Sequence, residues 1–197
     1  NTVISNPVVL PTALTSQGME GRFGWDIFEG KIVEIDYNKR IITVHSKLPK
    51  SKNNYSKTNI EFYQSFPCVV GNFTIKSKKY SGLFLLDSGS DLAVILDSTW
   101  VHAQNFPKDL PLIQTSTFQD PRGNRYKSQI VLTPDFNLNE HHLTNVPVCI
   151  IGSNNPLNFS INFLGNDILK RFNIIFDFKN DHIYFKPNSL IAVSYKN

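Results

Sequence analysis

The chain has 197 residues, of which 41% are hydrophobic and 18% are charged. This apolar content suits one globular domain, or one and a half small ones, and excludes a disordered chain. The formal net charge is +4, but the lysines gather in residues 47–57 and 76–79 without interleaved aromatic residues. This arrangement favours solvated loops over nucleic-acid binding. No apolar run of about eighteen residues is present, so we predict no membrane span.

Short β-rich segments follow one another along the chain and are separated by Gly, Asn, Asp and Pro at the spacing of hairpins. They are KIVEIDY, RIITVHS, CVVGNFTI, GLFLLD, QIVLTPDFNL, VPVCIIG, NIIFDF and HIYFKP. Two short helices are predicted in residues 97–106 and 166–172, the second with Asn166 or Asp167 as its cap. The sequence therefore predicts a mainly β protein.

Residues 24–44 resemble residues 165–185. GWDIFEGKIVEIDYNKRIITV aligns with GNDILKRFNIIFDFKNDHIYF without a gap, at the offset of 141 that separates Gly24 from Gly165. Both segments keep Gly-x-Asp-Ile and a later Asp-aromatic pair, which chance similarity between two β-rich segments would rarely preserve. We therefore predict an internal duplication.

The duplication predicts a division of the chain into four parts. Residues 1–50 would be the tail of a preceding, truncated lobe with the start of a linker, and residues 51–58 the linker itself. Residues 59–190 would form a complete lobe, and residues 191–197 a C-terminal tail.

The start of the chain and its glycosylation sequences favour export. The chain starts at Asn1 and its single methionine is Met19, which predicts a processed or trimmed polypeptide. Asn-x-Ser/Thr sequences, the acceptors of N-glycosylation, occur at Asn54, Asn72 and Asn158.

The cysteines and paired histidines are weak candidates for chemistry. Cys68 and Cys149 lie in apolar, strand-like segments, where free thiols and a disulfide both remain open. His141 and His142 follow Glu140, but neighbouring side chains on a strand point to opposite faces. A polar hairpin turn is therefore favoured over a metal site, and we predict neither a metal nor a cofactor.

In the segment LFLLDSGSDLAVI, residues 83–95, the carboxylate of Asp87 comes at the end of a predicted apolar strand. Gly89 permits a tight turn behind Asp87, while Ser88 and Ser90 offer one hydroxyl to a facing copy of the loop and one to Asp87 itself. A helix start is expected in the apolar residues that follow. A simple helix cap at Asp87 is less favoured, because an exposed cap needs no buried strand to carry it.

A second motif, NFLGNDIL, places Phe163, Leu164 and Gly165 before the second predicted helix. Between the two motifs, DPRGNR (residues 120–125) is the clearest hairpin turn. The order of the motifs resembles the aspartic peptidases of the retropepsin-like and pepsin-like clan, including the bacterial-type aspartyl proteases. The signature of that clan is an apolar pair and Asp-Thr/Ser-Gly, followed about 75 to 100 residues later by two apolar residues and a glycine.

The resemblance covers about residues 59–188 and implies an acid-protease barrel lobe with one or two short helices. The hairpin at residues 120–125 would be a flap over the cleft, with Phe118 and Tyr126 as candidate substrate-facing aromatics. Asp91 would bind the substrate backbone, although a helix N-cap role remains open.

The implied mechanism uses two aspartates that share a proton and hold a water, without a metal. Only one Asp-Ser-Gly is present, so the partner of the catalytic Asp87 must come from a homodimer or from a preceding lobe. The expected partners are therefore a peptide or protein substrate and a second lobe. The alternative is a peptide-binding module that keeps the lobe but lacks the second aspartate.

Overall fold

The computed structural model describes residues 23–119, 125–152 and 160–196. The early strands follow a 3₁₀ helix at Trp25–Phe28 and are β1 (Ile32–Asp36), β2 (Ile41–His45), β3 (Ser56–Asn59), β4 (Glu61–Tyr63), β5 (Phe66–Ile75), β6 (Lys78–Asp87) and β7 (Val94–Leu96). After helix α1 (Ser98–Ala103) come β8 (Leu112–Gln119), β9 (Arg125–Leu138), β10 (His141–Ile151) and β11 (Asn162–Gly165). Helix α2 (Asn166–Leu169), β12 (Phe172–Asp177) and β13 (His182–Pro187) complete the described part.

Six strands close into a β-barrel. The larger sheet has the order β4-β5-β6-β11-β7-β10-β9-β8, and an additional pairing of β5 with β9 joins its two sides. The pairs β6–β11 and β7–β10 are parallel, whereas the other pairings of this sheet are antiparallel. The predicted mainly β fold, a barrel lobe with two short helices, is confirmed.

Aromatic side chains fill the barrel. The ring of Phe73 lies 4.8 Å from that of Phe136 and 5.4 Å from that of Phe106, measured between centroids. Phe84 packs edge-on against Phe73, and Trp100 of α1 covers the same cluster. Large aromatic residues bury much apolar area each, so this cluster supplies a large share of the barrel's stability.

The smaller sheet, of order β2-β1-β12-β13-β3, joins the two halves of the predicted duplication. β1 and β12 pair antiparallel, with Val33 opposite Phe176 and Ile35 opposite Ile174. Glu34 consequently faces Ile175, which is its own counterpart at the offset of 141. An approximate two-fold axis therefore passes between these two residues.

The two hairpins of this sheet repeat each other in detail. Asp36 lies opposite Ile41 in the first, and Asp177 lies opposite His182 at the equivalent place in the second. Arg40 (φ 58°) and its counterpart Asp181 (φ 53°) both adopt the left-handed conformation. The two segments that are similar in sequence therefore also form hairpins of the same register and turn conformation.

The repeat extends to the segment before each hairpin. Gly24 (φ −90°, ψ 174°) precedes the 3₁₀ helix, and Gly165 (φ −86°, ψ 177°) precedes α2. The Trp25 ring lies 5.2 Å from that of Phe178, and in the related place the Tyr37 hydroxyl donates a 2.8 Å hydrogen bond to Asn166.

The division into lobe, linker and tail stays a prediction. Residues 51–58 take part in a 3₁₀ helix (Lys50–Asn54) and in β3, which pairs with β13.

The helices agree with the sequence in place but not in detail. α1 begins as predicted, where the Asp97 carboxylate accepts the amide of Trp100 at 3.0 Å. The predicted cap of α2 is wrong, because Gly165 holds the cap position without a side-chain hydrogen bond. The helix start expected after the Asp-Ser-Gly turn is also wrong, since residues 94–96 pair with β10 and β11. No helix within the described ranges is long and apolar enough to cross a membrane.

Residues 188–196, here called the C-terminal strap, pack against α2 and β12 through one buried cation. The Arg171 side chain is 1% exposed and donates to the carbonyls of Leu190, Ile191 and Val193 at 3.2, 3.1 and 2.6 Å. The Tyr195 ring lies 3.7 Å from the guanidinium. Charged hydrogen bonds and stacking together hold a segment that has no strand of its own.

The two cysteines are free and buried. Cys68 lies on β5 beside Leu85 and Ile161, and burial raises the pKa of its thiol to about 11. Burial also raises the pKa of Cys149 on β10. The question that the sequence left open is answered in favour of free thiols.

Replacing Ile174, which is 1% exposed, with alanine should lower the free energy of unfolding by about 2–5 kcal/mol, because it leaves a cavity in the core. Ile42 is 51% exposed in the other hairpin, and its replacement with alanine should change that energy by no more than about 0.5 kcal/mol. Urea denaturation measures both. Equal losses would contradict the core assignment.

Alkylation of Cys68 at pH 8 should be slower in the folded protein than in urea by a factor on the order of 100, because the raised pKa removes thiolate. Mass spectrometry of iodoacetamide-treated samples measures both rates. Equal rates would show that the thiol is accessible and ionised in the native fold.

Candidate active site

Asp87 is the last residue of β6, and it lies in register with Gly165 of the parallel strand β11. Its side chain is half-buried at the end of the barrel. The amide of Gly89 donates to Asp87 Oδ1 at 3.0 Å, and the amide of Ser90 donates to the Asp87 carbonyl at 3.3 Å. A backbone amide therefore orients the carboxylate, which stays open to solvent on one side.

The side chains of the two serines of the turn take no part in the hydrogen bond between Gly89 and the Asp87 carboxylate. Ser88 is exposed, and its contact with a facing loop stays a prediction. Ser90 Oγ accepts a long hydrogen bond of 3.4 Å from the amide of Leu92. In the single chain, the turn is thus shaped by its own backbone and by Ser90, while Gly89 holds the carboxylate.

The turn is fixed from behind by the start of α2. The amides of Gly165, Asn166 and Asp167 donate to the carbonyls of Ala93, Ser90 and Leu92 at 2.9, 2.8 and 3.3 Å. A Cβ atom at Gly165 would lie 2.1 Å from the Leu92 carbonyl oxygen. Only glycine permits this approach, which explains the apolar-apolar-Gly motif.

Phe163 and Leu164 precede Gly165 on β11, and their side chains pack on opposite faces of that strand. Leu164 is fully buried in the barrel core. Phe163 packs outside the barrel, against the cluster that contains Cys68 and Leu85. Both side chains fix β11 against β6, so the register of the two strands places Gly165 beside Asp87.

Asp91 is exposed, and its carboxylate oxygen lies 3.8 Å from the Nζ atom of Lys196. The N-cap alternative for Asp91 is wrong, because a bend and then β7 follow it. Sequence reasoning missed Lys196 and also Tyr37, whose hydroxyl bonds Asn166 at the start of α2. Neither residue carries a local signal, since its partner is more than a hundred positions away in the chain.

The predicted flap falls partly outside the described residues. β8 and β9 form a hairpin in which residues 118 and 126 are register partners, and β8 is the edge strand of its sheet. The tip at residues 120–124 and the side chains of Phe118 and Tyr126 lie outside the described part. Their role as a flap and as substrate-facing aromatics stays a prediction.

The two histidines have separate partners. His141 Nε2 lies 2.7 Å from Ser56 Oγ, and His142 Nε2 lies 2.6 Å from Asp135 Oδ1. Burial lowers the pKa of His141, which favours its neutral form. Among the residues that the structure covers, no group of three or more potential ligands could hold a metal ion.

Comparison with known proteins gives structural similarity alone. No family model matches the chain, and no curated protein matches it either. The chain is similar to a retropepsin-like aspartic protease from Rickettsia conorii, at 14% identity and a TM-score of 0.44, over 66% of this chain and 93% of that one. It is also similar to basic 7S globulin from soybean, at 12% identity and a TM-score of 0.46, over 81% of this chain and half of the globulin. Likenesses this distant carry no argument about the site.

Gly165→Ala should push the Ser90–Leu92 backbone away from α2 and lower the free energy of unfolding by about 1–3 kcal/mol, because the new Cβ overlaps a carbonyl oxygen. Gly24→Ala is the matched control at the two-fold related position. Among the described residues, the new atom would there meet the carboxylate of the flexible Asp26 side chain and no backbone atom. Denaturation measures both variants, and a Gly165→Ala protein no less stable than the control would contradict the contact.

Proposed function

We propose that the chain is a lobe of an aspartic endopeptidase in which Asp87 is one of two carboxylates that activate a water. One observation carries the proposal: Asp87 lies half-exposed at the end of β6, a strand inside the barrel sheet, where the Gly89 amide orients its carboxylate in a turn that α2 holds in place. A carboxylate held at a fixed position is what proton transfer to or from a bound reactant requires.

The chemistry needs a second carboxylate facing the first. Two carboxylates a few ångströms apart cannot both ionise easily, so near neutral pH they share one proton. The ionised member takes a proton from the water while the water oxygen attacks the peptide carbonyl. The protonated member donates its proton to the carbonyl oxygen. When the C–N bond breaks, the first member passes the water's proton to the leaving amine, and the second member takes its proton back as the carbonyl re-forms.

The approximate two-fold axis supports a first lobe as the source of the second aspartate. Gly165 lies beside Asp87, and its counterpart Gly24 precedes an equivalent helix in the first hairpin unit. A second Asp-containing turn beside Gly24 would complete the arrangement. A second copy of the chain, which would bring its own Asp87, is the other source.

A peptide-binding module is the second candidate function. The presence of only one Asp-Ser-Gly in the sequence favours it, because a lobe without a partner carboxylate keeps the cleft and loses catalysis. Such a module would still accept an extended peptide by strand-like hydrogen bonds. The oriented carboxylate weighs towards the enzyme, since binding alone does not require it.

Export is part of the same proposal. Asn54 is exposed at the end of a 3₁₀ helix, which suits glycosylation. Asn72 is half-buried within β5 and suits it less, and Asn158 lies outside the described residues.

Asp87→Asn should abolish peptide cleavage and leave the fold intact, because the amide cannot accept the proton of the attacking water. The assay is cleavage of a mixed peptide library between pH 3 and pH 8 by the longest available form of the protein, with and without a statine-containing inhibitor. Asp109→Asn is the control, since that exposed carboxylate pairs with Lys76 at the surface. Parent-like cleavage by Asp87→Asn would refute the assignment, and no cleavage by the folded parent would favour the binding module.

A further inference from the structure

A small cavity of about 160 Å³ opens beside the Asp-Ser-Gly turn. Its volume is below that of pockets for whole small molecules, so it suits a single side chain. One wall comes from the residues directly after the turn, and the others come from β9, β10 and the C-terminal strap. The lining residues are Asp91, Leu92, Ala93, Val94, Ile130, Pro147, Cys149 and Lys196.

The lining is apolar except at one rim, where a carboxylate meets an ammonium group. Among the described residues that line the cavity, only Asp91 and Lys196 are charged, and their charged atoms are 3.8 Å apart. A long aliphatic side chain with a terminal cation matches an apolar wall that ends in a carboxylate. The chain thus already presents a lysine to this rim.

The backbone of that lysine is held, whereas its side chain is not. The Lys196 amide donates to Asp167 Oδ2 at 2.8 Å, and Tyr195 stacks on Arg171. The side chains of Lys196 and Asp91 are 64% and 53% exposed, and ion pairs at such exposure are weak. Another cation can therefore displace the ammonium group while the strap remains in place.

We propose that this cavity is a subsite for a basic side chain of an extended peptide, and that Lys196 is its intramolecular competitor. The inference rests on the proposed function for the peptide nature of the ligand, but the binding step needs no catalysis. Lys196 would reduce affinity for lysine- or arginine-containing peptides without blocking the turn that carries Asp87.

The test measures peptide binding by the full chain carrying Asp87→Asn, so that cleavage does not interfere. Fluorescent extended peptides carry lysine at each position in turn, and matched peptides carry norleucine, its neutral isostere. We expect at least one lysine peptide to bind more tightly than its norleucine partner. Lys196→Met should tighten binding of that lysine peptide by about two- to five-fold, and Asp91→Asn should remove the preference.

Lys39→Met and Asp109→Asn are the matched controls, because they make the same charge changes in surface ion pairs elsewhere. Failure of every peptide to bind, or equal binding of lysine and norleucine peptides, would overturn the subsite. An equal gain in Lys39→Met would overturn the competitor role of Lys196, since it would reflect net charge alone.

The parent protein separates this inference from the proposed function. Cleavage without any preference for basic peptides would leave the peptidase proposal standing and refute the subsite. A lysine preference in binding that depends on Asp91, in a protein that cleaves nothing, would support the subsite and favour the binding module over the peptidase.

Discussion

The close approach of the Gly165 backbone to residues 90–93 is the contact on which the candidate site depends. Three successive amides of residues 165–167 satisfy three carbonyls of the loop that follows Asp87, and there is no space for a side chain between the two segments. Buried backbone groups need such partners, so the loop and the start of α2 stabilise each other. The carboxylate is consequently oriented by a main-chain amide, and the exposed Ser88 side chain of the turn can face a partner or a substrate.

The approximate two-fold axis places this contact within a larger arrangement. β1 and β12 pair around the axis, and each is the first strand of a hairpin with the same register. The elements before the hairpins correspond as well, although a hydrogen bond joins Tyr37 to Asn166 where a ring contact joins Trp25 to Phe178. The two sides thus share a backbone path, whereas their side chains differ in polarity.

The C-terminal strap connects to the same site through two buried charges. Asp167 donates its amide to the Leu92 carbonyl, and its carboxylate accepts the amide of Lys196. The neighbouring Arg171 meets three strap carbonyls and also the carbonyl of Asp167. Burying charged groups is costly unless they are paired and hydrogen-bonded, and here these bonds tie the strap to the segment that supports the Asp-Ser-Gly turn.

The sequence by itself determined the features that depend on near neighbours. Alternating apolar residues specified the strands, Asp97 specified the start of α1, and the two motifs with the 141-residue repeat indicated the lobe and its duplication. Tertiary structure decided what depends on distant partners. Residues 94–96 form a strand because β10 and β11 flank them. Asp167 does not cap α2, because its carboxylate pairs with the Lys170 ammonium group and accepts the Lys196 backbone amide. The contact of Lys196 with Asp91 has the same origin. Hydrogen bonds and ion pairs between segments far apart in the chain form only once the barrel has brought those segments together, so no local pattern of residues encodes them.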